Sequence, residues 1–156
     1  MNMRLVPAAI VLSFNVVVVT PLTAHHSVAA GVDLTKPTHI EGRVLKVTWV
    51  NPHMSFTLRG RDATGASVEW RVEASSLKIL GLLGWTKDTL MPGMNVRVGG
   101  YSAKKPDDSI FASTTVTFLS TQRILKTPTC WNLDNNVTTV ADVENMISNC
   151  PIPEVP

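Results

Sequence analysis

Residues 38–61 constrain this chain more than any other stretch, because two strand-like runs flank a proline turn there. Ile40, Val44 and the β-branched run that ends at Val50 suit a long first strand, with Gly42 expected as a bulge or bend. Asn51-Pro52 marks a turn, since proline fixes its own φ and bars its predecessor from helical geometry. From Ser55 to Arg59 polar and apolar residues alternate, which predicts a second strand returning antiparallel. The turn also holds His53 beside Met54, four residues after Trp49. Fold logic and candidate chemistry coincide only here.

The rest of the chain supplies the partners that such a hairpin needs. Residues 62–65 (Asp-Ala-Thr-Gly) are a turn of the kind that joins adjacent strands. Val68, Trp70 and Val72 alternate with Glu69, Arg71 and Glu73, which predicts a third strand with one buried face. The period then changes. Ser75 and Ser76 can cap a short helix whose apolar side is Leu77, Leu80, Leu82 and Leu83, ended by Gly84. Pro92-Gly93 marks another turn, followed by a fourth strand over residues 95–101 and a fifth over 110–119.

Strand, strand, strand, helix, strand, strand within a single domain is the order of the oligonucleotide/oligosaccharide-binding (OB) barrel. The expected fold class is therefore all-β: a five-stranded OB-fold-like barrel over residues 38–120, with the helix plugging one end. Val44, Val47, Phe56, Leu58, Val68, Trp70, Val96, Val98 and Val116 are the expected core. Beyond it, residues 121–156 read as a C-terminal extension, in which Val140, Val143, Met146 and Ile147 recur at helical spacing.

The opening residues read as an address. One early positive charge, an apolar run from Leu5 to Val19 and a small residue at Ala24 match a signal peptide over residues 1–24. The run is short and interrupted for a permanent membrane helix, which wants about 20 apolar residues; an uncleaved anchor is the rival reading. A periplasmic or secreted location follows, with no integral membrane span after cleavage. Of 14 basic residues only Arg4 lies in this segment, which leaves 13 against 12 acidic ones. So even a balance offers no case for nucleic acid, which demands clustered basic charge. Cys130 and Cys150 are the only cysteines, and an even pair in an exported chain points to a disulfide closing the extension. A metal-binding dithiol is the alternative.

These residues resemble a family. Ala24-His25-His26-Ser27, the Trp49-Val50-Asn51-Pro52-His53 hairpin, Gly84-Trp85-Thr86-Lys87-Asp88-Thr89-Leu90 with Pro92-Gly93, and the run from Val96 to Tyr101 stand in order over about residues 24–120. The chain is similar to a group of small exported bacterial proteins classed as a domain of unknown function. That resemblance implies a barrel and an exported location, and no activity.

The chemistry legible in the residues is metal binding or ligand stacking. A mature N-terminal arm (residues 25–37) starting at His25 offers an amine and an imidazole that chelate copper(II), with His26 beside them and His53 as a further ligand. Such a chelate resembles the copper site of oxidative polysaccharide-cleaving enzymes. The structural alternative leaves His25 and His26 as a polar start and has His53 close the turn with a hydrogen bond. Trp49, His53 and Met54 are similar to the copper(I) and silver sites of periplasmic carrier barrels, with Met54 as ordinary core the competing assignment. Trp49 and Trp85 are the candidate ligand face for sugars or bases, and a metal-free module that binds a protein, peptide or glycan partner through the barrel face is the rival to the metal reading. No carboxylate pair, phosphate loop or activated nucleophile is legible, so a copper-dependent oxidase is the one enzymatic reading, and the least favoured. The leading expectation is a binding module.

Overall fold

The computed structural model describes residues 31–105, 107–128 and 137–148. Its strands are β1 (Val32–Thr48), β2 (Ser55–Arg61), β3 (Ser67–Glu73), β4 (Asn95–Ala103), β5 (Ile110–Phe118) and β6 (Arg123–Lys126). Among the described residues, helix α1 (Leu77–Leu82) lies between β3 and β4 and helix α2 (Val140–Ser148) follows β6. The fold is β-rich and barrel-like, as the order of the elements implied.

Closure depends on one contact. The sheet runs β3-β2-β1-β4-β5-β6, and β3 turns back to pair with β5 in parallel through Arg71–Ile110, Val72–Phe111 and Glu73–Ala112. That joins the ends of a five-stranded antiparallel ribbon into the ring of an OB-fold-like barrel. β1 serves two neighbours, β2 along its second half and β4 along its first. It starts at Val32, six residues before the expected start, because Val32 and Pro37 pair with Ala103 and Tyr101 of β4. Most of the expected arm that falls among the described residues is thus sheet.

Gly42 is not the bulge. The register of β1 against β2 shifts between Val44 and Lys46, whereas Gly42 stands opposite Gly60 in regular pairing. The two backbones approach so closely here that a methyl on Gly60 would strike the Glu41 carbonyl, and one on Gly42 the Arg59 carbonyl. The Trp70 ring covers Gly60 from the inner side. Glycine is needed here for its missing side chain.

Alternation carries Ile40, Val44, Phe56, Leu58, Val72, Val96, Val98, Phe111 and Val116 into one core. Of the expected core, Val47 and Trp70 pack against it half-buried, and Val68 is half-buried as well. α1 closes one end with Ile79 and Leu80 buried; the Ser76 hydroxyl caps it by accepting from the Ile79 amide at 3.4 Å. Gly84, at φ +81, turns the chain out of the helix.

β6 was missed in the sequence because it is four residues long and mostly exposed. It extends β5 beyond the three residues that β3 uses, pairing Thr115 to Phe118 with Lys126 to Arg123. Buried hydroxyls tie the following residues down. Ser113 and Thr127 share a hydrogen bond of 2.9 Å, and the Ser75 hydroxyl donates to the Pro128 carbonyl. In α2, Val143 is buried and Asp142 accepts from the amides of Thr138 and Thr139 at 2.8 and 2.7 Å. Those hydrogen bonds, the Thr138 amide first, lower the Asp142 carboxyl to about 2. Cys130 and Cys150, and with them the expected bridge, lie outside the described residues, as does the expected signal peptide.

The glycine crossing gives a direct test. Gly60→Ala should lower stability by about 3 kcal/mol or more in urea unfolding, because the Glu41 backbone and the Trp70 ring leave the methyl no room. Gly65→Ala removes a positive-φ turn glycine with open space around it and should cost only about 1 kcal/mol.

Candidate binding face

The same alternation that fills the core throws the other half of each strand outward. On β1, β2 and β3 the outward residues fall into register rows. Thr48, Ser55 and Glu73 form the row nearest the hairpin; Lys46, Thr57 and Arg71 form the next; Arg43, Arg59 and Glu69 follow. Arg61 continues β2, and Glu41 carries the face across to Arg97 on β4. Neighbouring rows lie about 7 Å apart along the strands and neighbouring strands about 4.8 Å apart.

This face is cationic. It presents Arg43, Lys46, Arg59, Arg61, Arg71 and Arg97 against Glu41, Glu69 and Glu73, whereas the acidic and basic residues elsewhere in the described chain balance. The three glutamates are all occupied. Arg59 holds Glu69 at 2.5 Å, Arg71 holds Glu73 at 2.8 Å, and Arg97 holds Glu41 at 2.5 Å. Glu73 is the most sheltered of these six side chains, at 16% exposure, so Arg71–Glu73 is the pair least screened by water. Arg61 donates to the Gly65 carbonyl at 2.7 Å. That leaves Arg43 and Lys46, both exposed on β1, with no ion-pair partner among the described residues.

Two loops border the face. Residues 49–54 cross from β1 to β2 at the Thr48–Ser55 end, with the Asn51–Pro52 peptide cis. Residues 104–109 join β4 to β5, and the Arg71 amide donates to the Ser109 carbonyl at 2.8 Å, which brings this second loop against β3. At the far end of β2 and β3, Asp62 organises the turn. The Thr64 hydroxyl above all, then backbone amides, hold its carboxyl below the usual carboxylate range. The frame around the face is built from backbone.

The residues singled out in the sequence scatter. His53 is exposed on the hairpin and makes no side-chain hydrogen bond to any described residue, so it does not lock the turn. Met54 is fully buried, its backbone paired with Ser75 and Ala74, and its thioether packs into the core. It is therefore removed from the expected metal ligands; one residue on from exposed His53, the chain has already turned inward. Trp49 is half-buried against the core. Trp85 is corrected from ligand face to core: it is 3% exposed, tilts against Phe118 at 6.4 Å between centroids, and donates its indole N–H to the Lys126 carbonyl at 2.9 Å. His25 and His26 lie outside the described residues. Among the described residues no three His, Cys, Asp or Glu side chains cluster as a metal site would require. No helix among them is long and apolar enough to cross a membrane.

The basic rows were missed for a definable reason. Glu69, Arg71 and Glu73 were legible as a solvent side, but their neighbours Thr57, Lys46 and Arg43 come from strands whose register no single-strand pattern fixes. A wide groove of about 740 Å³ is lined by Gly93, Met94, Asn95, Phe118, Thr121 and Arg123 among others; it shares no lining residue with the face but meets it at Gly93, beside the Arg43 guanidinium.

Residues 14–110 match the model of a family of unknown function (DUF6152), and the chain belongs to that family. No curated protein matches the chain.

The two neighbours in the hairpin should part sharply on mutation. His53→Ala should leave the unfolding midpoint nearly unchanged, within about 0.5 kcal/mol, whereas Met54→Ala should cost about 2–5 kcal/mol by opening a core cavity. A large loss from His53→Ala would restore the turn-locking role.

Proposed function

We propose that this member of the family is an exported, non-enzymatic binding module that holds an extended polar ligand across the outward face of β1, β2 and β3. The observation that carries the reading is the concentration of the described chain's whole charge excess on that face and its continuation to Arg97 of β4. OB barrels bind oligomeric ligands on the β2–β3 face between the corresponding two loops, and the likeness in architecture supports the same use here. Rows of hydroxyl, cationic and paired side chains suit a ligand with many polar groups at short repeat. Trp85, buried in the core, has no part in it.

A second reading keeps the copper site, with His25, His26 and His53 as ligands and Met54 removed. What favours it is the exposed His53 imidazole, uncommitted to any hydrogen bond among the described residues. Copper(II) titration of the exported protein tests it: one tightly bound ion, weakened at least tenfold by His53→Ala, supports the site. Binding unaffected by that change removes it.

The binding-face reading is tested by amide shift mapping with soluble oligosaccharides and peptides. Shifts are expected at Ser55, Thr57, Glu69, Arg71 and Ser109. A ligand that perturbs Phe118, Leu119 and Thr121 instead would move the binding site to the groove and overturn the reading.

A further inference from the structure

We infer that the ligand of this face is an acidic polysaccharide, with Arg43 and Lys46 reading its carboxylate, sulfate or phosphate groups. The inference rests on the binding-face reading and adds the ligand's chemical class. It starts from which cations are still available. Every glutamate on the face is matched by its own arginine, at 2.5, 2.5 and 2.8 Å, so Arg59, Arg71 and Arg97 are internally neutralised. Arg61 is turned to the Gly65 carbonyl. Arg43 and Lys46 are the two cations left over, and both are exposed on β1. Their register partners, Arg59 and Thr57, stand two residues apart on β2. The two charges thus sit about 7 Å apart along the strand, a spacing that fits successive anionic groups on an extended chain.

The surroundings select the polymer. Beside Lys46 lie Thr57 in its own row and Thr48 and Ser55 in the next, so hydroxyls that donate and accept adjoin one of the two charges. Such a mixture matches a chain carrying both hydroxyls and anions. A single-stranded nucleic acid wants aromatic rings on which bases stack, and the outward rows contain none. An added peptide strand takes its affinity from an open sheet edge, whereas Arg43 is paired with Arg59 of β2 and Asn95 of β4, and Lys46 with Thr57 of β2. The Arg43 guanidinium also lies beside Gly93, in a turn whose amide and whose neighbour Met94's carbonyl bond to Val44. One of the two charges therefore has a fixed backbone next to it, which limits what it loses on binding.

The test uses the full exported chain with polygalacturonate, dextran, poly-glutamate and a single-stranded oligonucleotide as probes, each titrated at two salt concentrations. Polygalacturonate should bind and dextran should not. The R43E/K46E double variant should lower that affinity at least tenfold and flatten the salt dependence by about two charges, with circular dichroism unchanged. R43K/K46R keeps both charges and should retain most of the binding. Should dextran bind as well as polygalacturonate with the double variant unaffected, the anion inference falls while the binding face stands. Poly-glutamate or the oligonucleotide binding more tightly than polygalacturonate overturns the polysaccharide class. If no probe binds, the face and the inference fall together.

Discussion

β1 and β2 can wrap around one barrel because they touch without side chains at one point. At Gly42 and Gly60 the backbones come within reach of each other's carbonyls, and any Cβ there would collide. Close crossing allows the two strands to coil strongly, and strong coiling lets a ribbon of this width meet itself. Gly100 makes a comparable approach to the Ala112 carbonyl between β4 and β5. Ring closure through β3 and β5, the enclosed core and the outward rows all follow from strands bent at such places.

Closure also decides where charge goes. Once the inner positions are taken by Phe56, Leu58, Val72, Val96 and Val98, the intervening residues have only the outside, whatever their charge. Pairing β2 with β3 and β1 with β4 sets Glu69 and Glu41 opposite Arg59 and Arg97, while Arg71 and Glu73 pair along β3, which together lowers self-repulsion on a crowded surface. Exposed pairs of this kind contribute little stability, about 0–1 kcal/mol each. Their larger effect is on the potential: they cancel the acidic contribution and leave Arg43 and Lys46 to define the field over β1.

How much of this was legible depends on range. Local patterns were: Val68, Trp70 and Val72 gave β3, Ser76 and Gly84 framed α1, and the order of elements implied the barrel. What failed was whatever needed a neighbour. Trp85 looked like a surface aromatic because nothing nearby in sequence reveals that Lys126, 41 residues on, offers it a carbonyl. Met54 looked like a ligand because it follows His53, yet it is buried and only one of the pair faces water. Gly42 was read by its conformational freedom, although its role is set by Gly60, 18 positions away. The cationic face fell in the same class, since its rows come from register.

The contact between Trp85 and Lys126 has a further effect on how the sheet ends. β6 is an outermost strand with Ile124 largely exposed, the kind of edge that can recruit a second chain and seed aggregation. It is kept to four residues, its ends carry Arg123 and Lys126, and the indole occupies one carbonyl that an incoming strand would need. Short length, flanking charge and a plugged acceptor are protections against edge-to-edge growth. The tryptophan that completes the core is also what stops the sheet from continuing.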